Sequence, residues 1–135
     1  MELDFATEGV ETTDLYDFAM EEMKPGASPA WVVDWGPMIK AILKDIRAGI
    51  PAPRIAATFH NTLVEIIVAV AYRAREDRIV LSGGCFQNRY LTEHAVRRLR
   101  DEGFHPYWHQ RIPPNDGGIA LGQAVVAAYP LRERK

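Results

Sequence analysis

Cysteine is all but absent from this sequence: Cys85 is the single one in 135 residues. A lone thiol excludes an intrachain disulfide and leaves no cysteine cluster for a structural zinc. Strong charge of either sign is also missing, with a formal net charge of -2 and a pI near 6.1. Nothing in that balance asks for nucleic acid as a partner. The basic run Arg97-Arg98-Leu99-Arg100 is offset by Glu93, Asp101 and Glu102, which is the pattern of a solvated helix face. No stretch reads as long enough to span a membrane, the longest apolar segments reading as helix faces. The opening residues Met1-Glu2-Leu3-Asp4-Phe5 are acidic and lack the basic-then-apolar order of a signal peptide. Together these absences lead to the expectation of a soluble, cytoplasmic protein with no membrane partner.

What is present is an ordinary globular mixture, 47% hydrophobic and 25% charged, with room for one domain and a modest core. Residues 1–30 read as an N-terminal arm or linker, and residues 31–135 as a lobe with its own pattern. In the arm, Leu15 to Met23 suits either a short helix or a packed extended segment, and Pro25-Gly26-Ala27-Ser28-Pro29 is a turn or linker. Trp31 to Trp35 reads as a short strand or extended lead-in. Gly36-Pro37 then opens a helix with Met38, Ile39, Ile42, Leu43 and Ile46 on one face, ended by Gly49. From Pro53 to about Arg75 runs the longest helical pattern, apolar over much of its circumference near residues 63–71, which predicts burial on several sides.

Beyond residue 78 the order becomes strand, glycine turn, helix, strand, loop, helix. Arg78 to Leu81 and Phe104 to Trp108 are the strands. The helix between them, from about Asn88 to Asp101, carries Leu91, Val96 and Leu99 as core candidates. Asp116 to Ala128 is a small-residue helix whose Ala120, Gly122, Ala124, Ala127 and Ala128 suggest close packing against a neighbour. Such alternation predicts an α/β fold with a parallel sheet. Two strands bury their flanking layers poorly, so either the N-terminal segment adds strands or the sheet belongs to something larger.

In an open parallel sheet ligands sit outside the carboxyl ends of the strands, and here both ends run into unusual loops. Leu81-Ser82-Gly83-Gly84-Cys85-Phe86-Gln87-Asn88 lets backbone approach a phosphate with a helix start nearby, and Asn88 either caps that helix or reaches a ligand. The same glycines equally serve a tight turn that needs positive φ. Pro113-Pro114-Asn115-Asp116-Gly117-Gly118 places Asp116 at the head of a helix, where it serves as a cap or turns toward a metal or metal-bound phosphate. Two glycine loops on one sheet edge define a candidate phosphate or nucleotide site.

Those two loops, together with Phe59-His60-Asn61-Thr62-Leu63, Asp34-Trp35 and the continuation Ile119-Ala120-Leu121-Gly122-Gln123-Ala124, resemble the C-terminal part of HypF-type carbamoyltransferases. The resemblance runs in order over roughly residues 31–128. It implies a partial lobe of an actin-like ATPase (ribonuclease H-like) fold. It also implies the family's chemistry: carbamoyl phosphate and ATP yield carbamoyl-adenylate. The carbamoyl group then passes to the C-terminal cysteine of HypE, for the cyanide ligand of nickel–iron hydrogenase. On that resemblance Ser82, Gly83, Gly84, Asn88, Gly117 and Gly118 face the nucleotide. Asp116 resembles an aspartate that related tRNA-modifying enzymes give to a divalent metal.

The resemblance implies absences too. The family's other metal ligands are histidines of another lobe, and none of His60, His94, His105 or His109 matches them. His94 and His105 read as exposed or structural, and His109 lies at a strand-to-loop edge. His60 reads as satisfied packing, with reach to the site left open. Cys85 is a candidate acceptor thiol at a helix start, but the family's acceptor lies on HypE, so it reads as a loop-packing residue. No catalytic residue is assigned. The chain is expected to be a fragment or one piece of a split protein, inactive without the N-terminal HypF domains and able to self-associate. The alternatives are another actin-like enzyme, such as a kinase or the tRNA-modifying branch, and an inactive interaction module docking on HypE or on a separate N-terminal piece.

Overall fold

The computed structural model describes residue 7, residues 9–24 and residues 31–132. The acidic opening and the Pro25-to-Pro29 turn lie outside the described residues. In chain order the elements are β1 (Ala19–Glu22), β2 (Trp31–Asp34), α1 (Gly36–Arg47), α2 (Ala52–Ala74), β3 (Arg78–Leu81), α3 (Arg89–Asp101), β4 (His105–Trp108) and α4 (Ile119–Arg132). Short 3-10 turns at Gly84–Gln87 and Asp116–Gly118 lead into α3 and α4.

The parallel sheet expected from the alternation is present: β3 and β4 run side by side from Arg78 opposite His105 to Leu81 opposite Trp108. The N-terminal segment does supply strands, but not to that sheet. β1 and β2 pair antiparallel with one another, Ala19 opposite Asp34 and Glu22 opposite Trp31. Of the two forms open to residues 15–23, the packed arm is the one adopted. Tyr16 is buried and donates its amide to Thr62 Oγ1 at 2.8 Å and its hydroxyl to Asp45 Oδ2 at 2.9 Å. Arg54 pairs with Asp14 at 2.8 Å.

The core lies between α2, α3 and one face of β3–β4. Val64, Val68 and Ala71 of α2 meet Leu91, Ala95, Val96 and Leu99 of α3 over Leu81, with Ile79, Phe86, Phe104 and Trp108 around them. The three core residues expected on α3 are therefore all buried. Across the ends of the helices Arg98 bonds to Glu65 at 2.7 Å and to Glu102, which also accepts from the Tyr72 hydroxyl.

Several expectations need correction. α2 has 23 residues and a mean hydropathy of 1.5, so one stretch does match a membrane span by length and composition. Here it is the central helix of the core, carrying buried Thr58, His60 and Thr62. Its burial is less complete than its composition suggested, because Val70 is exposed. On α1 only Met38 is buried; Ile39, Leu43 and Ile46 of the same apolar face are exposed. Among the described residues the small residues of α4 have no close neighbour: Gly122 has open space around it, and the helix packs chiefly on the turn before it.

Candidate functional site

β3 and β4 end level with one another, so the residues that follow them leave the sheet at the same edge. Leu81, buried, anchors the end of β3. One step on, Ser82 Oγ lies 3.1 Å from His109 Nε2. The next residue joins the loops directly: the Gly83 amide donates to the Pro114 carbonyl at 2.9 Å. Both glycine loops therefore meet at one point, outside the carboxyl ends of the parallel strands. Ser82, Gly83, Gly84, Gly117, Gly118 and Asp116 all belong to this edge.

Gly83 has φ 109° and ψ 160°, a conformation that residues with a Cβ avoid. Its carbonyl accepts from Phe86 at 3.1 Å to start the 3-10 turn, and the turn closes with the Asn88 amide on Cys85 O, also at 3.1 Å. Gly83 thus serves the tight turn that needs positive φ. The Gly83 amide is committed to Pro114, while those of Gly84 and Cys85 meet no acceptor among the described residues. Gly118 is glycine for lack of space, since a Cβ there would stand 3.0 Å from the Pro113 carbonyl.

The structure decides between two capping readings. The residue capping the second turn is Asn115, whose Oδ1 accepts from Gly117 N at 3.0 Å. Asp116 is thus relieved of capping. Its carboxylate is exposed, with no hydrogen bond or ion pair to another described residue. Asn88 is the residue that caps: its Oδ1 accepts from Leu91 N at 2.8 Å and its Nδ2 lies 2.8 Å from His60 Nε2. Among the described residues no group of three His, Cys, Asp or Glu could hold a metal, so Asp116 alone does not make a metal site. Cys85 is exposed rather than packed into its loop.

Two histidines enter the neighbourhood, His109 with no motif to announce it and His60 from a motif that leaves its reach to the site open. His109 reaches Ser82 because each follows a paired strand end, a relation visible only once the register is known. His60 reaches Asn88 from the middle of α2. His94 stays structural, its Nδ1 2.8 Å from Tyr90 O and its ring stacked on Tyr90, and His105 is exposed. A groove of about 1060 Å³ runs between residues 9–14 and the first turns of α3. Its walls mix Arg89 and Arg97 with Glu11, Asp14 and Glu93, and neither glycine loop lines it.

The fold and edge define an α/β lobe of the kind found in Kae1-like domains. A solved structure described as full-length HypF in the phosphate- and nucleotide-bound form superposes on 96% of this chain with a TM-score of 0.85 and 34% identity. Residues 1–123 match the model for the carbamoyltransferase Kae1-like domain, second subdomain, and the chain belongs to the HypF carbamoyltransferase family. It is 44% identical over 93 residues to the carbamoyltransferase HypF of Synechocystis, covering 69% of this chain. It is 39% identical over 104 residues to HypF2 of Cupriavidus necator, covering 73% of it. The chain spans 12% and 13% of the lengths of those two relatives and 17% of the solved protein.

Proposed function

We propose that this chain forms the nucleotide- and metal-facing part of a carbamoyltransferase that moves the carbamoyl group of carbamoyl-adenylate to the C-terminal cysteine of HypE. Carbamoyl phosphate and ATP are the substrates from which the adenylate is made, and cyanide-ligand synthesis for nickel–iron hydrogenase is the purpose. The observation that carries this reading is the Gly83-to-Pro114 hydrogen bond, which unites two glycine loops at the carboxyl edge of parallel strands. A relative described as phosphate- and nucleotide-bound, at 34% identity, supports it.

In the transfer, the HypE sulfur bonds to the carbamoyl carbon as the bond from that carbon to the adenylate phosphate oxygen breaks. The thiol proton goes to solvent and AMP departs. Negative charge gathers on the leaving phosphate, where preorganised amide donors stabilise it most. The Gly84 and Cys85 amides are the donors placed for that task, with Ser82, Gly117 and Gly118 lining the same edge. Asp116, exposed and not used as a cap, is one ligand for a divalent cation whose other ligands come from outside this chain. Activity then requires the N-terminal domains.

The test is an amide-shift titration of the 15N-labelled chain with magnesium-ATP, then with a stable carbamoyl-adenylate mimic. Shifts are expected at Gly84, Asn88 and Asp116 to Gly118, reduced for the metal-dependent part in Asp116→Asn. A folded chain whose loop amides ignore both ligands counts against a preformed half-site.

A second reading, an inactive module that docks on HypE or on a separate N-terminal HypF piece, is favoured by the open sheet face, where Val80 is 71% and Tyr107 53% exposed. Carbamoyl label transferred to HypE by the chain alone would refute both this reading and the need for other domains. Binding to HypE without transfer would support the module.

A further inference from the structure

The glycine-loop chemistry gives the buried His60 side chain no task. His60 is 3% exposed, and both its ring nitrogens have partners. Nδ1 lies 2.7 Å from the Ala56 carbonyl, which can only accept, so Nδ1 carries a proton. Nε2 lies 2.8 Å from Asn88 Nδ2. The Asn88 amide is oriented by its other end, because Oδ1 holds the Leu91 amide at the start of α3. An NH2 group therefore faces Nε2, and Nε2 must accept. The hydrogen bonds select one form of the ring, neutral with its single proton on Nδ1.

Asn88 is the residue on which the first glycine loop ends. Its backbone amide closes the 3-10 turn on Cys85 O, its side chain caps α3, and its remaining polar group ties both to α2. The next residue of α2 repeats the arrangement. Asn61 Oδ1 accepts from the Tyr90 hydroxyl at 2.9 Å, and Asn61 Nδ2 donates to Thr12 O of the arm at 2.7 Å. Tyr90 and Phe59 set their rings edge-on against His60 and close the space around it. His60-Asn61 thus grips Asn88 and Tyr90, the cap and second residue of α3.

We propose that His60 is a positioning residue for the first glycine loop, acting as a neutral, Nδ1-protonated imidazole that holds Asn88 and so sets where the Gly84–Gln87 turn hangs. The proposal rests on reading that loop as the nucleotide-facing one. Its physical basis is preorganisation: donors that stabilise developing charge must already be in place, and the residues that orient them matter as much as the donors. An apolar residue of similar size would fill the same space on α2 but leave the Asn88 NH2 without an acceptor.

Long-range proton–nitrogen correlation spectra of the 15N-histidine-labelled chain at neutral pH test the tautomer. The expected spectrum has protonated Nδ1 and an unprotonated, acceptor-type Nε2; a proton on Nε2 overturns the proposal. The second measurement is hydrogen exchange at the bonded Gly83, Phe86 and Asn88 amides in His60→Leu, His60→Gln and Asn88→Ser. The serine keeps a capping oxygen but cannot span to the imidazole, so it tests the link should the leucine variant fold poorly. Loop protection is expected to fall about five- to tenfold in His60→Leu and Asn88→Ser, the equilibrium worth of one hydrogen bond, and to recover partly in His60→Gln. Amides of the α2–α3 core serve as the internal reference. A fall no larger in the loop than in the core overturns a positioning role, and so does unchanged loop protection. Protection is read without nucleotide, so a chain that ignores magnesium-ATP yet loses loop protection in these variants supports the clamp while counting against a preformed nucleotide half-site.

Discussion

At Gly83 a substitution has space but no suitable backbone. A Cβ there would meet nothing nearer than Cys85 Sγ at 4.0 Å, whereas its φ of 109° lies where only glycine is unstrained. Gly83→Ala is therefore expected to lower stability by about 1–3 kcal/mol through strain alone. A thermal melt unchanged from that of the native sequence would show that the loop relaxes into another conformation. Tyr16 makes a different kind of prediction. Burial first, then its hydrogen bond to Asp45, pushes its hydroxyl from 10.0 up to about 12. A raised value in the folded state means that stability is fully present below pH 10 and drains away as pH rises toward 12, by roughly 2–3 kcal/mol. Tyr16→Phe should flatten part of that alkaline loss in denaturant titrations. Only part is expected, because the Tyr72 hydroxyl is also raised, by its bond to Glu102, and the Tyr90 hydroxyl by burial.

Among the elements, α3 matters most, because it faces the core on one side and starts from the glycine loop. Leu99 is fully buried at the α2–α3 contact, with Val64, Val68 and Ala71 in the same cluster. Leu99→Ala should cost about 2–5 kcal/mol, read as a shift of the urea midpoint with little change in slope. Leu43→Ala on α1, where the side chain is 47% exposed, serves as the contrast, expected within about 0.5 kcal/mol. Equal effects would mean that α1 is covered in solution. β1 shows the limit of reading an element from its own residues: Ala19-Met20-Glu21-Glu22 has helical propensity, yet pairing with Trp31 to Asp34 makes it a strand. Tertiary context won because the hydrogen-bonding partners that decide it lie on another segment.

At the scale of the whole molecule, one face of the parallel sheet has no cover among the described residues. Parallel strands are ordinarily buried on both faces, but Val80 and Tyr107 stand exposed beside one another in register. α4 adds Ile119, Leu121, Val125, Val126 and Tyr129, all exposed. The isolated chain is expected to self-associate through such surface, and Val80→Lys to weaken that association without lowering stability. Sedimentation velocity over a wide concentration range checks it. A monomer throughout would show that the exposed apolar surface is too weakly complementary to bind itself.

The sequence by itself determined the α/β order beyond residue 78, the boundaries of α1 to α3 to within a residue or two, the core of α3 and the location of both glycine loops, whereas α4 runs three to four residues later than its small-residue pattern suggested. These follow from periodicity, glycine and proline placement and motif spacing, all of which act over neighbouring residues. Family membership was legible for the same reason, since the motifs are long and contiguous. Only the tertiary structure decided that Gly83 holds Pro114, that Asn115 rather than Asp116 caps the second turn, and that His60 and His109 reach the glycine loop. Each of these depends on register or on loop dihedral angles. Both are set by packing between segments far apart in the chain, which local pattern does not encode.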